Sequence, residues 1–203
     1  MAQARAVLVE RRRLGPYFMT LAHLARLAGA PYVRPLWWRS PGDRALRDCE
    51  DAFLLGDSLL VAPVLEPGAD RRAVRLPRGR WYDTHSGRPY DGPGQVLVDA
   101  PLSRIPVLAR AGAVLPVLDD GGAQGDASQA AGTRTGRVGL EVWAPAAGRR
   151  GGGLVVRDAG EGWAEPEIER YTSRLAGGRV VVERATDDGQ SAVEGPVRVR
   201  GLE

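Results

Sequence analysis

Cysteine and histidine are nearly absent from this 203-residue chain: Cys49, His23 and His85 are all it has. One thiol excludes an internal disulfide framework, and two distant histidines leave no Cys/His zinc site of recognisable spacing. Lysine is missing altogether, so all 28 basic residues are arginine, and against 25 acids they leave a net charge of only +3. The arginines number 17 against 11 acids in residues 1–118, and 11 against 14 in residues 119–203. Neither half carries the one-sided basic stripe of a nucleic-acid footprint. Long apolar runs are missing too. The longest, Leu59 to Leu65, is interrupted by Pro63 and falls far short of the ~20 residues a membrane span needs. The start, MAQARAVLVERRR, places its arginines after a weak apolar stretch and does not read as a secretory signal, so a cytoplasmic location is favoured over a secreted one. There is no Gly-x-Ser-x-Gly elbow, no phosphate loop of either common glycine pattern, and no sequence-suggested base for Cys49.

What the chain does have is enough apolar residue, 43% against 26% charged, to bury a core. From Glu10 to Ala28 apolar residues recur every three or four positions, which predicts a helix with one buried stripe, its stable part starting near Leu14 and stopping at Gly29. Pro31 to Trp38 is β-branched and aromatic and reads as a short strand, and Asp43 to Ala52 reads as a short charged helix. Beyond Phe53 the texture becomes short apolar or alternating runs punctuated by proline and glycine: Leu59–Leu65, Ala73–Leu76, Arg80–Tyr82, Gln95–Val98, Ile105–Ala109 and Ala113–Val117. That spacing predicts a β-sandwich. A segment poor in large apolar residues, 119–139, reads as a flexible linker. A second set of strand-like runs follows at Leu140–Trp143, Leu154–Val156, Tyr171–Leu175, Val180–Glu183 and Val197–Val199, with Gly151 to Gly153 leading into a strand. With nucleophile and phosphate motifs excluded, carboxylate chemistry of the glycosidase kind remains, in which two acids flank a sugar.

Four motifs carry a family resemblance, in order: RRRLGPYFMTLAHLARLAGAPYVRPLWW, DAFLLGDSLLVAPVLEPGA, LPRGRWYDTHSG and VDAPLSRIPVLARAGAVLPV. Together they resemble glycoside hydrolase family 31, the α-glucosidase and α-xylosidase family, over residues 2–118, and LVVRDAGEGW resembles its distal β-domain. The resemblance implies a mainly β fold: C-terminal β-sandwiches preceded by the terminal α/β remnant of a TIM barrel. Residues 1–52 would be the barrel end, with Ala4–Ala28 a late helix, Pro31–Trp38 the eighth strand and Asp43–Ala52 the link. Residues 53–118 would be the proximal sandwich, 119–139 the linker and 140–203 part of the distal domain. In the family, the catalytic aspartates and the late active-site histidine lie upstream of these segments, so no residue here is expected to be catalytic, substrate-binding or metal-binding, and His23 is not that histidine. No cofactor is implied.

Each tempting residue has an ordinary structural explanation, and that one is preferred. Asp57, at the barrel-to-sandwich junction, fits a Gly-Asp-Ser turn satisfying local backbone donors. Asp48, Glu50 and Asp51 fit a solvated helix face paired with Arg44 and Arg47. Arg34, inside an apolar run, reads as a structural clamp. Trp81 and Tyr82, and equally Trp143 and Trp163, could stack on a sugar but read as core. His85 reads as a solvated turn residue and Cys49 as quiet packing.

The expected function is therefore that of a C-terminal portion of a family 31 enzyme, from a truncated, split or mis-started gene, silent by itself. The parent reaction implied is retaining hydrolysis of α-glucosidic or related bonds. Carbohydrate is the implied partner of the parent enzyme, and an upstream catalytic-barrel polypeptide the candidate protein partner; nucleic acid and membrane are not expected. The alternatives are a non-catalytic carbohydrate- or partner-binding module, for which Trp81 is the aromatic to test, and one half of a split glycosidase. In either barrel-derived case, Pro31 to Trp38 would present an unpaired strand edge and large apolar side chains.

Overall fold

A computed structural model describes residues 2–119, 137–157, 166–186, 189–193 and 195–202. Helices open the chain: α1 (Ala2–Arg13), α2 (Gly15–Ala28), then β1 (Val33–Arg34), a 3-10 turn at Leu36–Arg39 and the one-turn α3 (Arg44–Arg47). The rest is β: β2 (Phe53–Leu55), β3 (Leu59–Val61), β4 (Arg71–Asp83), β5 (Pro89–Asp99), β6 (Val107–Arg110), β7 (Val114–Asp119), β8 (Arg137–Trp143), β9 (Arg150–Arg157), β10 (Glu167–Ala176), β11 (Arg179–Thr186), β12 (Gly189–Ala192) and β13 (Val197–Arg200). The fold is mainly β with antiparallel sheets and short N-terminal helices, as the sequence implies. No described helix is long and apolar enough to cross a membrane.

Helix α2 follows its pattern closely. Pro16 sits in the first turn, where its missing N–H costs nothing, and Gly29 ends the helix at φ +65° with its N–H donating to Ala25 O. Its buried face carries Tyr17, Thr20, Leu21 and His23. The strand expected over Pro31–Trp38 is shorter: only Val33 and Arg34 pair, with Leu55 and Leu54 of β2. Pro35 has no N–H to continue the ladder, and at φ −65° it leads into the 3-10 turn that carries both tryptophans. The helix expected across Asp43–Ala52 also contracts. Asp43 caps it by accepting from Ala45 N at 3.0 Å, but the acids from Asp48 onward would lie at the negative end of its dipole, and it stops at Arg47.

Three sheets follow. A six-stranded sheet runs β1-β2-β3-β6-β4-β5, a four-stranded one β12-β11-β10-β9, and a three-stranded one β13-β8-β7, where β13 joins β8 in parallel. Every strand-like run in the second set lies within β8 to β13, and Ala73–Leu76 and Arg80–Tyr82 belong to the single long β4, irregular between Leu76 and Gly79. Within the expected linker, Asp119 closes β7 and Arg137 to Gly139 open β8, the two strands pairing Asp119 with Arg137; residues 120–136 lie outside the described residues.

The core has three connected parts. Leu36, Leu46, Leu54, Leu60, Trp81 and Leu108 pack inside the first sheet and its 3-10 turn. Tyr17, Leu21, Leu59, Tyr82, Leu115 and Trp143 fill the space between α2 and the sheets. Val114, Leu140, Val142, Val155 and Tyr171 join the remaining strands. The run Gly151–Gly153 has a packing reason: a β-carbon on Gly151 would overlap the backbone of Gly112, and one on Gly153 the carbonyl of Val114. Glycine there lets β9 press directly on the segment leading into β7, where Ala113 bridges Gly152.

Candidate functional site

An open groove of about 410 Å³ lies where α2, the β2–β3 turn and the start of β7 meet β9 and β10. Its charged residues are Arg34, Arg39, Arg110, Arg170 and a single acid, Asp57. The β2–β3 turn sets the position of Asp57. Gly56 adopts φ +60°, and a β-carbon there would land on the Tyr17 hydroxyl and 2.6 Å from Leu21 Cδ2, so the turn can lie against α2 only as glycine. The Tyr17 hydroxyl donates to Leu55 O at 2.9 Å across the same contact, and burial pushes its phenol up to about 12.

Among the described residues, Asp57 is held by arginines, and no local backbone donor reaches its carboxylate. Its Oδ1 lies 2.7 Å from Arg34 Nη1 and 3.2 Å from Arg39 Nη1. Arg34 is 4% exposed, donates through Nε to Pro31 O at 2.9 Å, and lies 5.6 Å from the Trp38 ring centroid. The clamp expected of Arg34 is therefore present, with Asp57 as its carboxylate. Retaining glycosidases need two carboxyl groups ~5–5.5 Å apart. Among the residues lining this groove Asp57 is the single acid.

The other sequence candidates lie elsewhere. Asp48 and Glu50 are exposed beyond the end of α3, and Asp51 pairs not with Arg44 or Arg47 but with Arg72, at 2.9 Å, because the helix ends before it. Against the upward pull of partial burial, hydrogen bonds from Cys49 and Arg72 hold the Asp51 carboxyl below the usual carboxylate range. Burial and the bond to Asp51 push the Cys49 thiol up, away from the thiolate a nucleophile needs. His85 is exposed in the turn, where its backbone N–H donates to Asp83. Trp81 and Trp143 are each 1% exposed and Tyr82 is 4% exposed, with Tyr82 stacked on Trp143 at 5.8 Å, so these rings form core. Trp163 lies outside the described residues.

Three buried carboxylates escaped the sequence reading. Glu141 receives Arg13 at 2.9 Å and the Trp143 indole at 3.1 Å. Glu169 receives Arg157, Arg184 and the Tyr171 hydroxyl at 2.6 to 2.9 Å. Asp83 accepts from the backbone N–H groups of His85 and Ser86. The first two sit in alternating strand sequences, where an inward acid and an outward acid look alike until the register is known. No group of three His, Cys, Asp or Glu placed to hold a metal ion occurs among the described residues.

Residues 29–115 match the glycosyl hydrolase family 31 C-terminal domain. Among curated proteins, a probable glucan 1,3-alpha-glucosidase of Arabidopsis thaliana is 40% identical over 110 residues, covering 54% of this chain and 12% of its own length. Neutral alpha-glucosidase AB of Mus musculus is 40% identical over 114 residues, covering 55% of this chain and again 12% of the relative. The Flavobacterium johnsoniae family 31 dextranase, solved with glucose, superposes with a TM-score of 0.75 at 24% identity, over 98% of this chain and 25% of that one. An uncharacterised Listeria monocytogenes protein superposes at 0.72 with 26% identity, over 85% and 16%. The chain thus spans about one eighth of the length of the curated relatives.

Proposed function

Because this chain belongs to glycosyl hydrolase family 31 through its C-terminal domain region, we propose that it is the supporting, non-reacting portion of an α-glycosidase of that family. In this reading residues 1–52 are the barrel end, 53–118 a proximal sandwich and 140–203 part of a distal domain. The reaction supported would be retaining hydrolysis of an α-glucosidic or related bond, with both reacting carboxylates supplied by a barrel polypeptide. One observation carries the reading. Tyr32, Val33, Trp37 and Trp38 are 38 to 54% exposed around β1, the terminal strand of the six-stranded sheet. Large apolar groups beside an open strand edge suit a surface that another element covers.

Two assays test this. The purified chain, given an aryl α-glucoside, should show no turnover, and adding a polypeptide that carries the barrel and its two aspartates should restore it. Turnover by the chain alone, lost when one of its own carboxylates is replaced, would refute the proposal.

The exposed tryptophans also favour a second reading, a carbohydrate-binding surface, since Trp37 and Trp38 present rings 6.2 Å apart and tilted by 38°. Trp81 cannot serve there, being sealed in the core. Titration with maltooligosaccharides should then change tryptophan fluorescence in the parent chain and not in Trp38→Ala; an unchanged signal in both would remove this reading.

A further inference from the structure

The groove beside α2 holds more positive charge than its own acid can balance. Arg34 and Arg39 both converge on Asp57. Arg110 and Arg170 line the same groove and have no hydrogen bond or ion pair through their guanidinium groups among the described residues. Arg110 is the unusual one. It ends β6, its backbone N–H fixed to Ser58 O at 2.9 Å, and its side chain is half-buried. Burial, and then the like charge of Arg39, hold its ionisation below the usual arginine range, with Asp57 opposing them weakly. A half-buried guanidinium that reaches the groove with its donors uncommitted can offer an anion the paired hydrogen bonds its planar fork makes. The volume, about 410 Å³, lies within the ~300–1,000 Å³ of small-molecule sites, and Tyr17, Leu21 and Leu24 give it an apolar wall.

We propose that this groove is a binding site for a small oxyanion, a carboxylate- or phosphate-bearing molecule, with Arg110 as its principal anchor and Arg170, from β10, as a second lining cation. Asp57 tunes the site: it occupies Arg34 and Arg39 and repels an incoming anion. The site is independent of glycoside cleavage, so its test does not depend on the supporting role assigned above.

The test is calorimetric titration of the whole chain with inorganic phosphate and with acetate, at ionic strength held constant by sodium chloride. Saturable binding is expected, weakened about tenfold or more in Arg110→Gln and strengthened by a similar factor in Asp57→Asn. Circular dichroism reports whether each variant folds. Arg170→Gln, at an exposed position, decides the matter if Arg110→Gln does not fold, and should weaken binding severalfold. Tighter binding of phosphate marks a phosphoryl ligand, and equal or tighter binding of acetate a carboxylate; both support the site. Non-saturable heats with both anions, or saturable binding unchanged in the folded arginine variants, would overturn it.

Discussion

The two tryptophan pairs of this chain meet opposite fates. Trp81 and Trp143 are each 1% exposed, whereas Trp37 and Trp38 are 38% and 41% exposed. The first pair belongs to long strands whose neighbours are present: β4 lies between β6 and β5, and β8 between β13 and β7. Their polar atoms are satisfied as well, Trp81 donating to Pro77 O at 3.1 Å and Trp143 to Glu141 at 3.1 Å. The second pair sits on a 3-10 turn beside a two-residue terminal strand. The difference teaches that the N-terminal segment is two-sided: Leu36 and Leu46 close the first core and Tyr17 and Leu21 the second, while Trp37 and Trp38 stay on the surface beside the terminal strand.

Truncation should separate the two pairs most sharply. Trp81→Ala is expected to cost about 3–5 kcal/mol in a urea melt, since it empties the centre of the first core. Trp38→Ala should stay within about 0.5 kcal/mol in the isolated chain. Equal losses would mean that the exposed face is a structural core after all.

The junction between the regions gives the next effects. Gly56→Ala should destabilise by about 1–3 kcal/mol, because the new methyl meets the Tyr17 hydroxyl and Leu21 at a positive φ. A melt unchanged from the parent would show that the turn does not press on α2. Arg34→Ala, which removes a buried cation and its bonds to Asp57 and Pro31, should cost about 1–3 kcal/mol. On the sandwich side, Arg80→Ala breaks an exposed pair with Asp91 and should cost about 0–1 kcal/mol. Reversal of that order would put the weight of the fold on surface pairs.

A pH dependence, confined to alkaline conditions, arises at the same junction. Burial raises the Tyr17 phenol from its ordinary value near ~10 to about 12, so the folded chain keeps it neutral where an unfolded chain would ionise it. The associated stability is complete below pH ~10 and declines as pH rises toward about 12. Tyr17→Phe should lose about 1 kcal/mol at neutral pH with the hydrogen bond to Leu55, yet decline less steeply through that alkaline window. Parallel alkaline profiles for the two proteins would show that Tyr17 does not govern it.

Much of this fold was legible because its signals are local. The 3.6-residue pattern that ends at Gly29 marks α2, and alternating runs between proline and glycine mark the strands. Partners in space were less legible. Asp57 looked like a local turn residue, but its contacts come from Arg34 and Arg39, about 20 positions away and on the other side of α3. Glu169 gathers two arginines and a tyrosine across three strands, which no spacing along one strand can announce. The β-branched and aromatic texture of Pro31–Trp38 marks a strand, but Pro35, lacking an N–H, limits it to Val33 and Arg34.

Hydrolysis of an aryl α-glucoside by the purified chain, measured with and without a barrel-bearing polypeptide, bears most directly on the supporting role. No product from the chain alone and restored turnover in the mixture is the expected result. Product from the chain alone that disappears in Asp57→Asn, or in a variant of any other of its carboxylates, would contradict it.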